Sequence, residues 1–431
     1  MLAAVTAAAL FAGHGSSSPR PRPLQLRGLA ATHSLLAFRW TRDSGYLARV
    51  RATTLQPLRG KQMMISGQSS GWSFSPDRRQ LALGDTSGGG EIWLVDTRRL
   101  KLAGRLSTGN YGVVVETAWT GDRLLAVLDK CCYGETPSGE LAVAVMDLSL
   151  RKVVASQELR GTIQATGSRG PTVVLLLGPP AGIGPTRLLV VDAHGRVRSS
   201  LIERILSGNE YQDNEPVART AQPGLALDET GKRAFVVGAG APVAEVDLET
   251  LGVTYHELSS PVSLIDRVRN WLEPSAFAKS APNGPERHAL WLGDGTLAVW
   301  GVDNHVERNS DGNPTARQTA AGIHLIDTRT WTERTIDANA SSLTVADGMF
   351  IATGALWDSA TQKMSGAGLT GYRPDGSKRF HRFGSASLSM VHALGSRVFV
   401  QDRPGSYSVL EAGSGRTLRR LSGQMPQPLA R

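Results

Sequence analysis

The chain has 431 residues and a formal charge of +9, with 41% hydrophobic residues, 48 glycines and nine tryptophans. That composition excludes a disordered chain and suits a β-rich protein with many tight turns. The positive charge is scattered over turns and alternate strand positions. It never forms the concentrated, aromatic-interleaved patch that nucleic acid requires, so no nucleic-acid partner is expected.

The opening run MLAAVTAAALFA is apolar but too short to span a bilayer, and residues 1–15 read as a secretory-signal-like segment. The following LFAGHGSSSPRPRP resembles a bacterial lipoprotein junction. His14 stands where the lipidated cysteine would be, so no lipid anchor is carried over. Residues 16–24 read as an extended Ser/Pro linker. An extracytoplasmic chain is expected, secreted or associated with the cell envelope, with no transmembrane span after maturation.

Across residues 25–422 two kinds of strand pair alternate. The first kind closes on a very short turn, as in GWSFSPDRRQLALG (71–84), ETAWTGDRLLAVLD (116–129), GLALDETGKRAFVVG (224–238), ALWLGDGTLAVWG (289–301) and MVHALGSRVFVQD (390–402). The second kind ends in an aspartate and a turn, as in EIWLVDTRR (91–99), LAVAVMDLSLRKVV (141–154), RLLVVDAHGRVR (187–198), VAEVDLETLGVTY (243–255) and GIHLIDTRTWTER (322–334). Two hairpins per unit make a four-stranded antiparallel sheet. An all-strand repeat of this size specifies a propeller or a solenoid. Strands with Val, Leu and Ile on both faces fit sheets covered on both sides. RKVVASQELR (151–160), TERTID (332–337) and KRFHRF (378–383) carry charge at alternate positions, as outermost strands should.

On these elements, SFSPDRRQLALG followed by EIWLVDTRR above all, the chain resembles the WD-repeat and YVTN-type bacterial β-propellers. The Gly-His and Trp-Asp signatures of true WD repeats are missing, which points away from the eukaryotic scaffold branch. The resemblance implies an all-β propeller of four-stranded blades over 25–422, followed by a tail at 423–431. Eight blades is the preferred count and seven the alternative, reached if the weak N-terminal unit is an outer layer or completes the last blade by strand exchange.

One set of connections is uniformly tight. The other is long and varied: 130–140, 178–186, 203–222, 259–287, 302–321 and 355–367. Binding sites collect on such loops when a rigid scaffold holds them, so a candidate binding face is expected there, carried by Tyr133, Tyr211, Asp303, His305, Arg317 and Trp357. Cys131 and Cys132 are adjacent and are the two cysteines of the chain. They form either a strained vicinal disulfide or two separate thiols. A vicinal disulfide also occurs beside the quinone of quinoprotein dehydrogenase propellers, but the tryptophan docking motifs of those enzymes are missing, so no quinone is expected. Within the insertion at 259–287, PVSLIDRVRNWLEP (261–274) has helical apolar spacing, with Ser263 to cap it and Pro274 to end it. Asn309, Asp311 and Asn313 place oxygen atoms at alternate positions around Gly312, a calcium-loop pattern that lacks its closing glutamate because Ala320 stands there.

No nucleophile elbow or phosphate loop is present: GPPAGIGPT and GAGAP are turns. The expected function is binding of a small ligand, glycan or protein by the long-loop face of a monomer, with no catalysis. The alternatives are a hydrolase or lactonase-like enzyme with its site at the channel mouth, and a cell-envelope assembly scaffold.

Overall fold

The computed structural model describes residues 34–40, 45–65, 71–85, 88–110, 112–120, 122–130, 139–211, 218–259, 284–308, 314–358, 361, 363–388, 390–403 and 405–429. The chain lays down its sheets in sequence order. The first holds β1 (Ser34–Trp40), β2 (Gly45–Arg51) and β3 (Pro57–Ile65), and the second β4 (Trp72–Phe74), β5 (Gln80–Gly84), β6 (Glu91–Asp96) and β7 (Lys101–Ser107). Then come β8 (Val113–Thr120), β9 (Arg123–Asp129), β10 (Glu140–Asp147) and β11 (Lys152–Arg160). A five-stranded sheet follows, with β12 (Thr162–Arg169), β13 (Thr172–Gly178), β14 (Gly182–Val191), β15 (Val197–Tyr211) and β16 (Ala218–Ala221).

The fifth sheet has β17 (Gly224–Leu227), β18 (Arg233–Val237), β19 (Val243–Asp247) and β20 (Val253–His256). The largest has eight strands: β21 (Gly284–Gly293), β22 (Thr296–Arg308), β23 (Pro314–Asp327) and β24 (Thr332–Asp337), then β25 (Ser342–Ala346), β26 (Met349–Asp358), β27 (Lys363–Tyr372) and β28 (Lys378–Arg382). The seventh has β29 (Met390–Leu394), β30 (Arg397–Arg403), β31 (Ser406–Glu411) and β32 (Thr417–Ser422). The last strand, β33 (Gln427–Pro428), returns to the first sheet and pairs with β1, Phe38 opposite Gln427. Residues 423–431 therefore carry a closing strand where a tail is expected. Leu429 donates its N–H to the Leu36 carbonyl at 2.9 Å, and Met425 and Leu429 are buried.

Burial explains the ring. Side chains alternate across a strand with period two, so a run such as Leu124–Leu128 on β9 serves two neighbours. Leu124, Ala126 and Leu128 pack with Ile92 and Leu106 of the preceding sheet, while Leu125 and Val127 pack with Val173, Leu175 and Leu189 of the following one. The same arrangement continues through the clusters around Val236, Trp291, Phe350 and Val400. The circle closes where Phe399 and Tyr407 meet Leu35 and Val50, and where Leu47 meets Leu81. Near that seam the Tyr407 hydroxyl donates to the Thr54 carbonyl at 2.7 Å. Strands β11, β24 and β28 lie outermost in their units, and their alternating charge keeps those edges solvated.

The recurring aspartate is a turn device. Asp96 Oδ1 accepts the N–H groups of Arg98 and Arg99 at 2.8 and 2.9 Å, and Asp147 Oδ1 those of Ser149 and Leu150 at 2.9 and 3.0 Å. Asp247 Oδ1 does the same for Glu249 and Thr250 at 3.0 and 2.7 Å. Each carboxylate thereby satisfies backbone donors that the turn leaves outside the ladder. The turn ends on a residue in the left-handed region, Leu100 at φ 53°, Arg151 at 51°, Leu251 at 63° and Trp331 at 55°. The aspartates thus hold the scaffold and leave the chemistry to other residues. Among the described residues no helix is long and apolar enough to cross a membrane.

Candidate functional site

Three hairpins run beyond the body of their sheets on the long-connection face. β14 and β15 stay paired as far as Gly182 opposite Asn209, β22 and β23 as far as Arg308 opposite Pro314, and β26 and β27 as far as Asp358 opposite Lys363. Much of 178–186, 203–222, 302–321 and 355–367, expected as loop, is therefore strand. The physical reason is a bulge at the base of each hairpin, at Pro185/Thr186, Gly301/Val302 and Thr353/Ala355. A bulge bends a strand and re-aims it while the ladder continues. At Gly301 the backbone passes so close to β21 that a Cβ would lie 1.9 Å from the Glu286 carbonyl oxygen. Isolated glycines within strand patterns, Gly301 and Gly354 here, are the sequence signal that marks such sites.

Two of these arms join. Arg317 of β23 pairs with Asp358 of β26, which makes one sheet of the two strand quartets. Gln318 reinforces the junction: its Oε1 accepts the Trp357 backbone N–H at 3.0 Å, and its Nε2 donates to Asn304 Oδ1 at 2.9 Å. Asn304, buried at 5% exposure, donates from Nδ2 to the Gly284 carbonyl at 3.1 Å. Arg287 on β21 braces the arm from beneath. Its Nη1 donates to the Val302 carbonyl at 3.0 Å, and its Nη2 lies 2.8 Å from Asp303 Oδ1. His305 is exposed, directly opposite Arg317 across the ladder, and its Nε2 lies 3.0 Å from Thr319 Oγ1.

Asp303, His305 and Arg317 are thus brought together on one raised β-surface, and Trp357, next to the Asp358 that pairs with Arg317, lies on its other face with Gln318 and Asn304. Asp303 serves its base through Arg287, while His305 and the exposed Arg317 offer hydrogen bonds and charge, and Trp357 a half-buried indole. Tyr211 ends β15 opposite Ala218 on the other arm. Cys131, Cys132, Tyr133, the calcium-pattern residues Asn309, Asp311 and Asn313, and the helical segment 261–274 lie outside the described residues.

Several residues that frame the site were not legible in the sequence. Gln318 and Asn304 are ordinary polar residues until the arms meet. Glu286 and His288 sit one strand below, 3.1 Å apart. The His288 hydrogen bond outweighs burial and, with Arg287 nearby, holds the Glu286 carboxyl below its usual range. Beside the joined arms a cleft of about 440 Å³ is lined by Ile183, Arg204, Leu206, Arg219 and Pro285. Across the inner strands Thr166 donates to the buried Glu116 carboxylate at 2.7 Å, and Ser73 and Thr117 share a hydrogen bond of 2.8 Å. Among the described residues no three or more His, Cys, Asp or Glu side chains group where they could hold a metal ion.

No family model matches the chain, and no curated protein matches it in sequence. Among solved structures, the dihydro-heme d1 dehydrogenase NirN in complex with DHE superposes with a TM-score of 0.56 at 13% identity, covering 92% of this chain and 74% of that one. BamB from Moraxella catarrhalis gives 0.38 at 13% identity, with 90% and 87% covered. The β-propeller domain of Cps50 (Swd1) from Myceliophteria thermophila gives 0.38 at 12%, with 84% and 89% covered. Likeness at such identity speaks to fold and not to activity. With the closed ring of sheet-to-sheet cores and the four-stranded antiparallel units, the superposition on NirN shows that this chain has the β-propeller fold.

Proposed function

We propose that the chain is an exported, WD-repeat- or YVTN-like binding propeller that recognises a small ligand, glycan or protein through its long-connection face and performs no catalysis. The observation that carries this reading is the union of two arms through Arg317, Asp358, Gln318 and Trp357, which turns two neighbouring hairpins into one rigid surface displaying His305 and Arg317. Such a surface is pre-organised, and pre-organisation lowers the entropic cost of binding. The adjoining cleft is lined by apolar Ile183 and Leu206 and by Arg204 and Arg219, which pair with Glu257 and Glu210. The scaffold reading draws support from Leu201 and Leu206, which are 51% and 54% exposed on β15. We also count eight blades. Taking the eight-stranded sheet as two blades supports this, because the hydrophobic clusters then fall between each successive pair around the ring.

A thermal-shift screen against oligosaccharides, short peptides, calcium and quinones tests the reading, since a ligand that binds only the native state raises its melting temperature. The expected result is a sugar or peptide that stabilises the wild type and has no effect on the His305→Ala, Arg317→Ala double variant. A response that survives in the double variant would sink the arm surface as the site. Turnover of a stabilising compound would sink the non-catalytic reading. For Cys131 and Cys132, intact mass rises by roughly two protons on reduction if they are bridged.

A further inference from the structure

A second cavity, of about 480 Å³, lies at the opposite end of the ring, on the tight-turn face. It sits where the first strands of three consecutive sheets end, β12, β17 and β21, and its lining includes Gly167, Arg169, Leu225, Leu227, Glu229 and Asp294. The volume falls within the range of pockets that hold small organic molecules, and the composition follows the same pattern, an apolar wall with few polar groups. The wall is rigid because Trp291, which also lines the cavity, is buried and stacks on Phe235 with centroids 5.0 Å apart and planes at 3°.

The charges in the cavity are unequally committed. Arg169 donates from both Nε and Nη2 to the Glu229 backbone carbonyl at 3.2 Å, so its guanidinium fastens one turn to the next. The Trp291 indole N–H donates to Glu229 Oε2, which fixes that carboxylate against the cavity wall and leaves Oε1 for another donor. Asp294 is exposed at the tip of the β21–β22 turn, and its carboxylate has no hydrogen-bond partner among the described residues. Arg329 reaches it only by charge and forms its own ion pair with Asp327 at 2.9 Å. Two carboxylates, Glu229 and Asp294, and one guanidinium, Arg169, therefore line the cavity with Leu225 and Leu227, and the charge of Arg169 persists although its N–H groups are taken by backbone. The negative charge is in excess there, which disfavours an anion. A cation with an apolar body would fill the cavity and place its charge between Glu229 and Asp294.

We propose that this cavity is a second ligand site, specific for a small organic cation with an apolar body, on the face opposite the joined arms. The site is independent of the binding function proposed for those arms. Isothermal titration with benzyltrimethylammonium, using 3-phenylpropionate as the anionic counterpart, tests it. Saturable binding of the cation is expected, with the anion at least about tenfold weaker. Gly167→Leu should abolish binding. Gly167 is not in the left-handed region, a Cβ there would sit at ordinary contact distance, 3.4 Å from Leu227 Cδ1 and 3.5 Å from Leu225 Cδ2, and the rest of the leucine would occupy the cavity. Asp294→Asn, an exposed change that leaves the fold intact, should weaken binding about three- to tenfold. No saturable binding by the wild type, equal affinity for the anion, or full affinity in Asp294→Asn overturns the proposal. Asp294→Asn and the anion comparison decide the matter even if Gly167→Leu fails to fold.

Discussion

Gln318 on β23 accepts the backbone N–H of Trp357 on β26 at 3.0 Å, and through its other amide atom holds Asn304 on β22 at 2.9 Å. One side chain thus ties three strands from two hairpins at the level where both have left the body of their sheets. Gln318→Leu keeps the bulk and removes both bonds, leaving a backbone donor and a buried amide oxygen unpaired, at a cost of about 1–3 kcal/mol. Hydrogen exchange should quicken around 302–306 and 355–358 while β9 and β13 stay protected. Unchanged exchange in the arms would show that backbone pairing at Arg317 and Asp358 suffices to join them.

Acid should loosen the turns before it reaches the core. The Arg99 N–H holds the Asp96 carboxyl below its usual value, the Ser149 hydroxyl and Leu150 N–H do so for Asp147, and the Thr250 N–H and hydroxyl for Asp247. A depressed folded pKa contributes stability that is present above the unfolded value of 3.8 and is lost as pH falls through the folded one. Replacing all three aspartates with asparagine retains an accepting oxygen and removes the titration. The acid limb of melting temperature against pH should therefore flatten below pH 3.8. An identical acid limb in wild type and variant would refute this.

His324 titrates in the opposite sense. Burial opposes its charged form, but the Glu333 carboxylate at 2.8 Å from Nδ1 and the Ala321 carbonyl at 2.8 Å from Nε2 more than offset that, and its pKa is raised above 6.5. The resulting stabilisation is complete below pH 6.5 and disappears as pH rises through the folded pKa. The difference in melting temperature between wild type and His324→Gln should be larger at acidic than at alkaline pH. A gap that is constant with pH would mean that His324 acts only by packing.

Ring closure depends on a very short strand. Leu429 is buried between the first and second sheets and its N–H completes the β33–β1 ladder. Leu429→Ala should cost about 3 kcal/mol, as for other fully buried leucines, and should expose β1 to exchange first. A loss below about 1 kcal/mol in urea unfolding would indicate that the seam residues Phe399 and Tyr407 close the ring by themselves.

The sequence by itself determined the architecture. Paired hairpins, apolar residues on both strand faces, charged outer strands and the turn aspartate are local patterns, and local geometry has few answers to them. It also separated the tight-turn face from the elaborated one. What it could not determine is where chain-distant residues meet. The bulges at Gly301 and Thr353/Ala355 turned expected loops into arms, and only the packing of successive sheets brings Arg317 to Asp358 and Gln318 to Trp357. The same holds at both ends of the ring. β33 finds β1 across the whole length of the chain, and the cavity at Glu229 and Asp294 exists because three inner strands end side by side. Contacts of that kind depend on sheet twist and ring closure, which are summed over many strands and written in no short stretch of sequence.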